Sequence, residues 1–496
     1  MLYLLKLVCK NSRQLFLFLA GLGVAFGLQA QGQTEVKASG SSGAWSIQQC
    51  IDYAVEHNID IKQTSLSIKT NEYNVRQSKL ARYPSVNASL SQGLNFGRSI
   101  NPITNEFINT RTLTNNFSID ASVTLWNGNK LQNTVKRDLN TIEVSKMDLK
   151  ASTNTVSLNI AVSYLDVLLN QELLVAARKQ VASTKEQLTR TEKLFKAGSV
   201  AENEVINLRA TLSNDELQVV NAGNNLNLAK LRLMQLMNLP TSENPNFEVE
   251  RIDVENLVTQ PNNETPQQIF DVAKNSQPII KSAELSVMNS DVAIKIAKAD
   301  QYPNLTLNAG IITRYSDAGV LTPETGEVVN VPVGFVDGTN QVVLTPRNVR
   351  EERPYTFSQQ LSDNLSQYVS LRLSIPIFNG GQVKRNIATS IIQKRQAELT
   401  LQNRKNQLRQ DIEQAYSNAK AAQNTYDARV KALQSQQLAF EIGQKRFNAG
   451  AMNSVDFNIA KINRDRAQSD MIRAKYDYLF RTEVLNFYLD KPLDFK

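Results

Sequence analysis

Trp126-Asn127-Gly128 opens a stretch that runs to Pro240, and the stretch recurs 252 positions later as Phe378-Asn379-Gly380 running to Pro492. The landmarks between them superpose without a gap, the mark of an internal repeat. Tyr164 falls on Tyr416, Phe195-Lys196-Ala197-Gly198 on Phe447-Asn448-Ala449-Gly450, and Glu204 on Asp456. No proline occurs from Asn127 to Leu239, glycine is sparse, and Ala, Leu, Gln, Lys and Glu dominate. Each copy therefore reads as one long helix, a tight break and a second helix. Gly198 and Gly450 are the natural stops, because glycine accepts the left-handed conformation that caps a helix. The first helix then covers about 68 residues from Asn127 to Leu194, roughly 100 Å at 1.5 Å per residue, far longer than an ordinary globular helix. Taken alone, the helices fit a pair of coiled-coil hairpins equally well.

What precedes each copy changes that reading. From Trp45 to Arg82 the apolar spacing is helical (Ile47, Ile51, Ala54, Val55, Ile59, Leu66, Ile68) and stops at Tyr83-Pro84, since a residue before proline is pushed out of the helical region. Two alternating segments follow, Val86-Ala88-Leu90 against Asn87-Ser89-Ser91, and Phe117 to Leu125 against Ser118, Asp120, Ser122 and Thr124. Period-two alternation predicts strands, with a turn-rich loop at 97–115 between them. Phe247, Val249 and Val254 suggest a short strand in the linker. The opening pattern returns at Gln267, with Ala273 on Ala54, Ile280 on Ile61 and Tyr302-Pro303 on Tyr83-Pro84, an offset of 219. Strands recur over Leu305–Ile311 and Val369–Ile377, the latter kept despite Pro376 because that proline sits at its exit. The loop between them, 316–366, carries an Arg350–Arg353 charge cluster that reads as solvated.

The N-terminus reads as a cleaved secretion signal over 1–30, with Lys6, Lys10 and Arg13 ahead of an apolar core at Leu15–Leu28. Its removal lowers the formal net charge of +8 to about +5, too mild to imply a nucleic-acid partner. No later run of about 18 apolar residues predicts a transmembrane helix. Residues 31–44 form a Gly/Ser-rich lead-in. Cys50 is the one cysteine outside the signal, so no disulfide is expected. His57 is the sole histidine and no phosphate-binding glycine loop occurs, which leaves no basis for an enzyme, a metal site or a cofactor.

Four strands of about 9 to 11 residues suit tilted membrane-crossing strands, one face apolar towards lipid and one polar towards a lumen, and alternation alone fits equally a soluble sandwich whose polar face meets water. Four strands cannot close a barrel, and hydrocarbon tolerates no open edge, so if these strands span a membrane several chains must share one barrel. The broad apolar coverage on Val156, Ile160, Leu165, Leu168, Leu169 and Leu173 suits helices with neighbours on both sides, as in a ring.

With its signal, its duplicated helix–strand–strand–long helix–helix order and its paired F-x-A-G turns, the chain resembles the TolC family of outer membrane efflux proteins from about Trp45 to Pro492. The resemblance implies a mainly α fold with β: a homotrimer whose 12-stranded barrel in outer-membrane lipid continues as a periplasmic α-helical barrel. It divides the chain into a first repeat at 45–240, a linker or equatorial segment at 241–266 and a second repeat at 267–496. It implies an exit duct of a Gram-negative efflux or type I secretion system, with a periplasmic adaptor and an inner-membrane pump as partners. It makes Phe195, Gly198, Phe447 and Gly450 the periplasmic tips and adaptor contacts, and Glu204 and Asp456 the candidate gate acids. The pattern departs from the family at Phe195 and Phe447, often Tyr, at Ile459, often a second acid, and at Met452, a basic gate-locking position. The alternative from another class is a secreted, elongated coiled-coil interaction protein with a small β head.

Overall fold

The computed structural model describes residues 43–100, 107–242, 244–252, 264–335, 337–339 and 341–491. The signal, nearly all of the lead-in, Val254 and Pro492 lie outside these residues. The first half runs α1 (Ile47–His57), α2 (Ile59–Leu80), β1 (Ser85–Ile100), β2 (Phe107–Trp126), α3 (Lys130–Lys196) and α4 (Glu202–Met237). The second runs α5 (Pro266–Ser276), α6 (Pro278–Ala299), β3 (Asn304–Ser316), a loop region, β8 (Ser366–Ser374), α8 (Gln382–Asn448) and α9 (Ser454–Tyr488). The loop region holds β4 (Val320–Leu321), β5 (Glu324–Phe335), β6 (Val342–Arg350), β7 (Arg353–Pro354) and α7 (Phe357–Asp363).

The two halves are alike at the paired landmarks. Both long helices have 67 residues, about 100 Å of helix each. Ala54 and its counterpart Ala273 are both fully buried, as is Ile280. The opening helix, expected to be continuous from Trp45 to Arg82, instead breaks at Asn58. Asn58 takes an extended conformation (ψ 129°), and its side chain accepts from Asp60 N and Ile61 N, so it ends one helix and caps the next. The second half breaks at the equivalent residue, Gln277, where Pro278 forces the extended state.

The strands exceed their sequence signatures. β1 and β2 have 16 and 20 residues, so most of the predicted loop 97–115 is ladder: Gly97 pairs with Thr110 and Ile100 with Phe107. β8 ends at Ser374, which leaves Pro376 outside the strand rather than at its exit. The loop 316–366 contains the β5–β6 hairpin, rooted by the β4–β7 pair. The Arg350–Arg353 cluster lies at that root, exposed but engaged, with Arg350 on Glu324 at 3.1 Å and Arg353 on Glu351 at 3.0 Å.

Three rows of four elements stack along the chain, and all follow one order. The sheet is antiparallel, β1-β2-β3-β8. Above the middle of the helices, α2 packs on α3, α3 on α6, and α6 on α8. Below it, α4 packs on α3, α3 on α9, and α9 on α8. Polar contacts pin the upper row: Asn71 to Ser145 at 2.8 Å, Asn289 to Thr141 at 3.0 Å and Lys405 to Glu284 at 2.8 Å.

The main apolar core lies where the rows meet. Ile47, Cys50 and Ala54 of α1 pack with Ile160, Tyr164 and Leu168 of α3, Leu233 and Met237 of α4, and Leu479 of α9. α3 carries an 18-residue window of mean hydropathy 1.4, long and apolar enough to cross a bilayer by composition. The buried run Ile160–Leu168 serves this core. The Tyr164 hydroxyl donates to Trp45 O at 3.0 Å or Glu250 O at 2.8 Å, flanking the parallel bridge of Trp45 with Val249. The short strand expected around Phe247 and Val249 is thus a single bridge. Burial pushes the Cys50 thiol up to about 12.

Towards the hairpin turns charged groups join the interior, beside the buried Leu208 and Phe457. Lys461 of α9 is 1% exposed and places Nζ 3.0 Å from Asp215 of α4 and 3.4 Å from Asp465. Gln180 and Thr184 of α3 also donate to Asp215. Burial raises the Asp465 carboxyl, opposed by Lys461 and by Arg464, whose guanidinium lies 2.7 Å away and stacks on Phe440. This cluster fastens the first hairpin to the second.

Removing Lys461 would leave the buried Asp215 carboxylate without its cation and Asp465 with Arg464 alone, which costs about 3–5 kcal/mol, whereas replacing a whole pair by apolar groups is close to neutral. Lys461→Ala is therefore expected to lower the Tm of the detergent-solubilised protein markedly, and Lys461→Met with Asp215→Leu to restore most of it. Equal losses in both variants would refute the assignment. Glu483, 6% exposed on α9, is raised by burial from 4.5 to about 7, opposed by its hydrogen bond from Asn486 and by Lys491. Between those two values the unfolded carboxyl has lost its proton and the folded one has kept it, so stability falls as pH rises, by roughly 3 kcal/mol in all. Glu483→Gln is expected to flatten this fall and raise Tm at pH values above about 7, where the burden on the carboxylate is complete. A wild-type-to-variant difference in Tm that stays constant across the transition would contradict it.

Candidate functional site: the paired hairpin tips

Both F-x-A-G turns close by the same hydrogen-bond pattern. Gly198 N donates to Phe195 O at 2.8 Å and Ser199 N to Leu194 O at 2.9 Å; Gly450 N donates to Phe447 O at 3.0 Å and Ala451 N to Arg446 O at 2.8 Å. The 6→1 and 5→2 bonds are those of a Schellman cap, which needs a left-handed residue. Gly198 and Gly450 supply it at φ 77° and 72°. Nothing lies within 4 Å of where a Cβ would stand on either, so the backbone angle, not crowding, selects glycine.

The two tips differ in what their aromatic rings touch. Phe447 stacks on Phe457 with centroids 4.8 Å apart, and Phe457 also packs on Phe440 at 5.6 Å. The first tip has Val205 at the position equivalent to Phe457, and Phe195 remains 41% exposed. Met452 turns back onto α8, its sulfur 3.5 Å from where a Gly443 Cβ would stand.

A cleft of about 460 Å³ separates the tips. Arg190, Leu194 and Glu204 line one side, and Phe447, Asn448, Gly450 and Met452 the other. Arg190 bridges it, donating through Nη1 to Asn448 Oδ1 at 2.9 Å. Glu204, Phe447 and Gly450 thus come together, while Phe195, Gly198 and Asp456 do not line the cleft. Asp456 is exposed in the first turn of α9, where its N–H bonds to Asn453 Oδ1 at 2.8 Å and its carboxylate accepts from Asn453 Nδ2 at 2.9 Å. α4 begins at Ala201 without a side-chain cap, so Glu204 is free to turn into the cleft. Equivalence in the repeat therefore does not give these two acids equivalent surroundings.

Sequence reasoning missed the buried Lys461–Asp215 contact. Its repeat counterpart, Arg209, is an exposed partner of Glu192 at 2.8 Å, so the repeat itself points to a surface role. The relevant signal was a charge pattern shared between hairpins, which periodicity within one helix cannot carry.

The outer membrane efflux protein family model matches residues 50–239 and 269–489. The outer membrane protein TolC of Escherichia coli strain K12 is 25% identical over 329 residues, 66% of this chain and 59% of that protein, so the alignment spans less than two thirds of the relative. Among solved structures, CusC superposes with a TM-score of 0.69 at 17% identity, covering 90% of this chain and 92% of its own. VceC from Vibrio cholerae superposes with a TM-score of 0.68 at 14% identity, covering 90% and 97%. The matched segments take in both repeats and both tips, and the chain belongs to the outer membrane efflux protein family.

Proposed function

We propose that this protein is the outer-membrane exit duct of a tripartite efflux or type I secretion system. Three copies join β1 to β8 into a 12-stranded barrel in the outer membrane, and the same operation closes both helix rows into a periplasmic α-barrel. The observation that carries this reading is the stack of three four-element rows, each ending, among the described residues, on the same two flanks. The sheet adds support. Val86, Leu90, Phe96, Val369, Leu371 and Leu373 are each at least 58% exposed, an apolar face suited to lipid. A secreted coiled-coil protein would leave that face and both edges open to water, inviting aggregation.

The duct performs no chemistry. A periplasmic adaptor engages the tips, and an inner-membrane pump supplies energy and selects cargo. Opening is an outward shift of the hairpin ends, which widens the cleft bridged by Arg190 and Asn448 and withdraws Glu204 and Phe447 from it. Adaptor contact falls to Phe195 and Gly198, which remain outside the cleft.

Light scattering on the detergent-extracted protein, corrected for detergent, is expected to give a trimer; a monomer or dimer that dissolves without detergent would overturn the duct. Tip movement has its own test. A short bis-maleimide cross-link in an Arg190→Cys, Asn448→Cys variant is expected to abolish export, while the same variant without cross-linker exports. Cys50 stays inert because its thiol is buried and protonated. Export unchanged by a complete cross-link would show that the cleft does not open.

A further inference from the structure

We propose that the barrel segment of the duct favours anionic cargo, and that Arg314 and Arg372 set this preference. The proposal rests on the trimeric duct, in which the polar face of the sheet lines the lumen. That face is fixed by register: Asn87, Asp120, Gly310 and Tyr368 form one row across all four strands. Its side chains bond to one another, Ser122 to Asn308 at 2.9 Å and Ser89 to Ser118 at 2.8 Å. Alternate positions along the strands share this face, and the sequence places only three charged side chains there: Asp120, Arg314 and Arg372. Arg98 and Arg111 fall on the opposite face, near the β1–β2 turn.

The three charges are not equally available. Asp120 accepts from the Tyr368 hydroxyl at 2.8 Å and from Ser118 at 2.8 Å. The Tyr368 ring crosses Gly310 to reach it, passing within 2.5 Å of where a Cβ would stand, so only glycine permits the contact. Arg314 and Arg372 are exposed, and among the described residues neither has an acidic partner. Each chain thus presents a net positive charge to the lumen.

Position strengthens the effect. Arg372 pairs with Thr306, close to the helix junction, while Arg314 pairs with Asn116, towards the far end. Eight residues of β3 separate those two levels, about 26 Å at 3.3 Å per residue, with the Asp120–Tyr368 row between them. Three copies would set a positive ring on either side of a hydrogen-bonded acidic one. Rings of Arg select anions where the pore is narrow enough for their field to reach its axis. Twelve strands lie between the filled interior of about eight and the open channel of about sixteen, and the Debye length is ~10 Å at 0.1 M salt, so the field reaches permeating ions.

The test is the reversal potential of the full-length trimer in planar bilayers across a potassium chloride gradient. Neutralising both rings in Arg314→Gln/Arg372→Gln is expected to lower the chloride-to-potassium permeability ratio about threefold at 0.1 M salt, and Asp120→Asn to raise it. A second readout does not depend on the tips being open: a polysulfonated pyrene dye added on the extracellular side is expected to bind the wild type in a salt-dependent way and the double variant weakly. A trimer whose reversal potential and dye binding are unmoved by the double variant overturns this proposal alone. Absence of any detergent-stable trimer overturns the duct, and this proposal with it.

Discussion

A sheet edge carries a row of N–H and C=O groups, and in hydrocarbon those groups find no water. This constraint organises the proposed duct. β1 and β8 are the edges of a four-stranded sheet that cannot close on itself. Both faces are also committed, one apolar and exposed, one polar and internally hydrogen-bonded. Covering the edges with a helix, as soluble proteins often do, would leave the apolar face wet. In the proposed trimer, pairing each edge with the next copy would satisfy edge and face together. The helix rows inherit that solution, because α3 and α8 follow directly from β2 and β8 and carry the strand order downwards.

The internal repeat explains why one chain supplies two near-copies of each part, and also where the copies diverge. Both tips need the same backbone cap and keep it, because the Gly φ is a requirement of the helix end itself. Side chains around the cap face no such shared requirement. Phe447 is held by a stack of aromatic rings, whereas Phe195 projects. Arg209 stays at the surface while its counterpart Lys461 is driven into the interior, where Asp215 of the other hairpin awaits it. A repeated sequence thus produces similar helices and dissimilar neighbours, since the neighbours depend on which hairpin lies alongside.

The features legible in the sequence were those set by local physics. Proline-free helical stretches, Gly198 and Gly450, the alternation in β2 and β3, and the Tyr-Pro stops all encode their structure within a few residues. What escaped was set at a distance. The upper parts of β1 and β2 are rich in Asn, Thr and Gly, a turn-like composition, but the ladder extends through them because each strand offers the other an unbroken set of partners. Asn58 reads as one more polar helix residue until its side chain is seen capping the next helix. The hairpin in 316–366 lacks clean alternation because neither face packs against a core. The acids of the tips were legible as residues but not as surroundings: Asn453 against Ala201 decides which one is tied to its own helix.

A buried ion pair enters the interior towards the hairpin turns, and in the proposed duct that feature suits motion at that end. Around Tyr164 the buried residues are aliphatic and aromatic, and separating such elements exposes apolar area at about 25 cal/mol per Å². Towards the turns Thr184, Thr191, Asp215 and Lys461 are buried alongside Val205, Leu208, Phe440 and Phe457. Ion pairs of this kind contribute little net stability over separated, hydrated groups, yet they demand one geometry while closed. Water entering between the hairpins would solvate these groups as they part, which it cannot do for Ile160 or Leu168. In the proposed duct the buried ion pairs would therefore define a closed register at less cost to separation than aliphatic packing alone, while the apolar belt above them keeps the remaining helices in place.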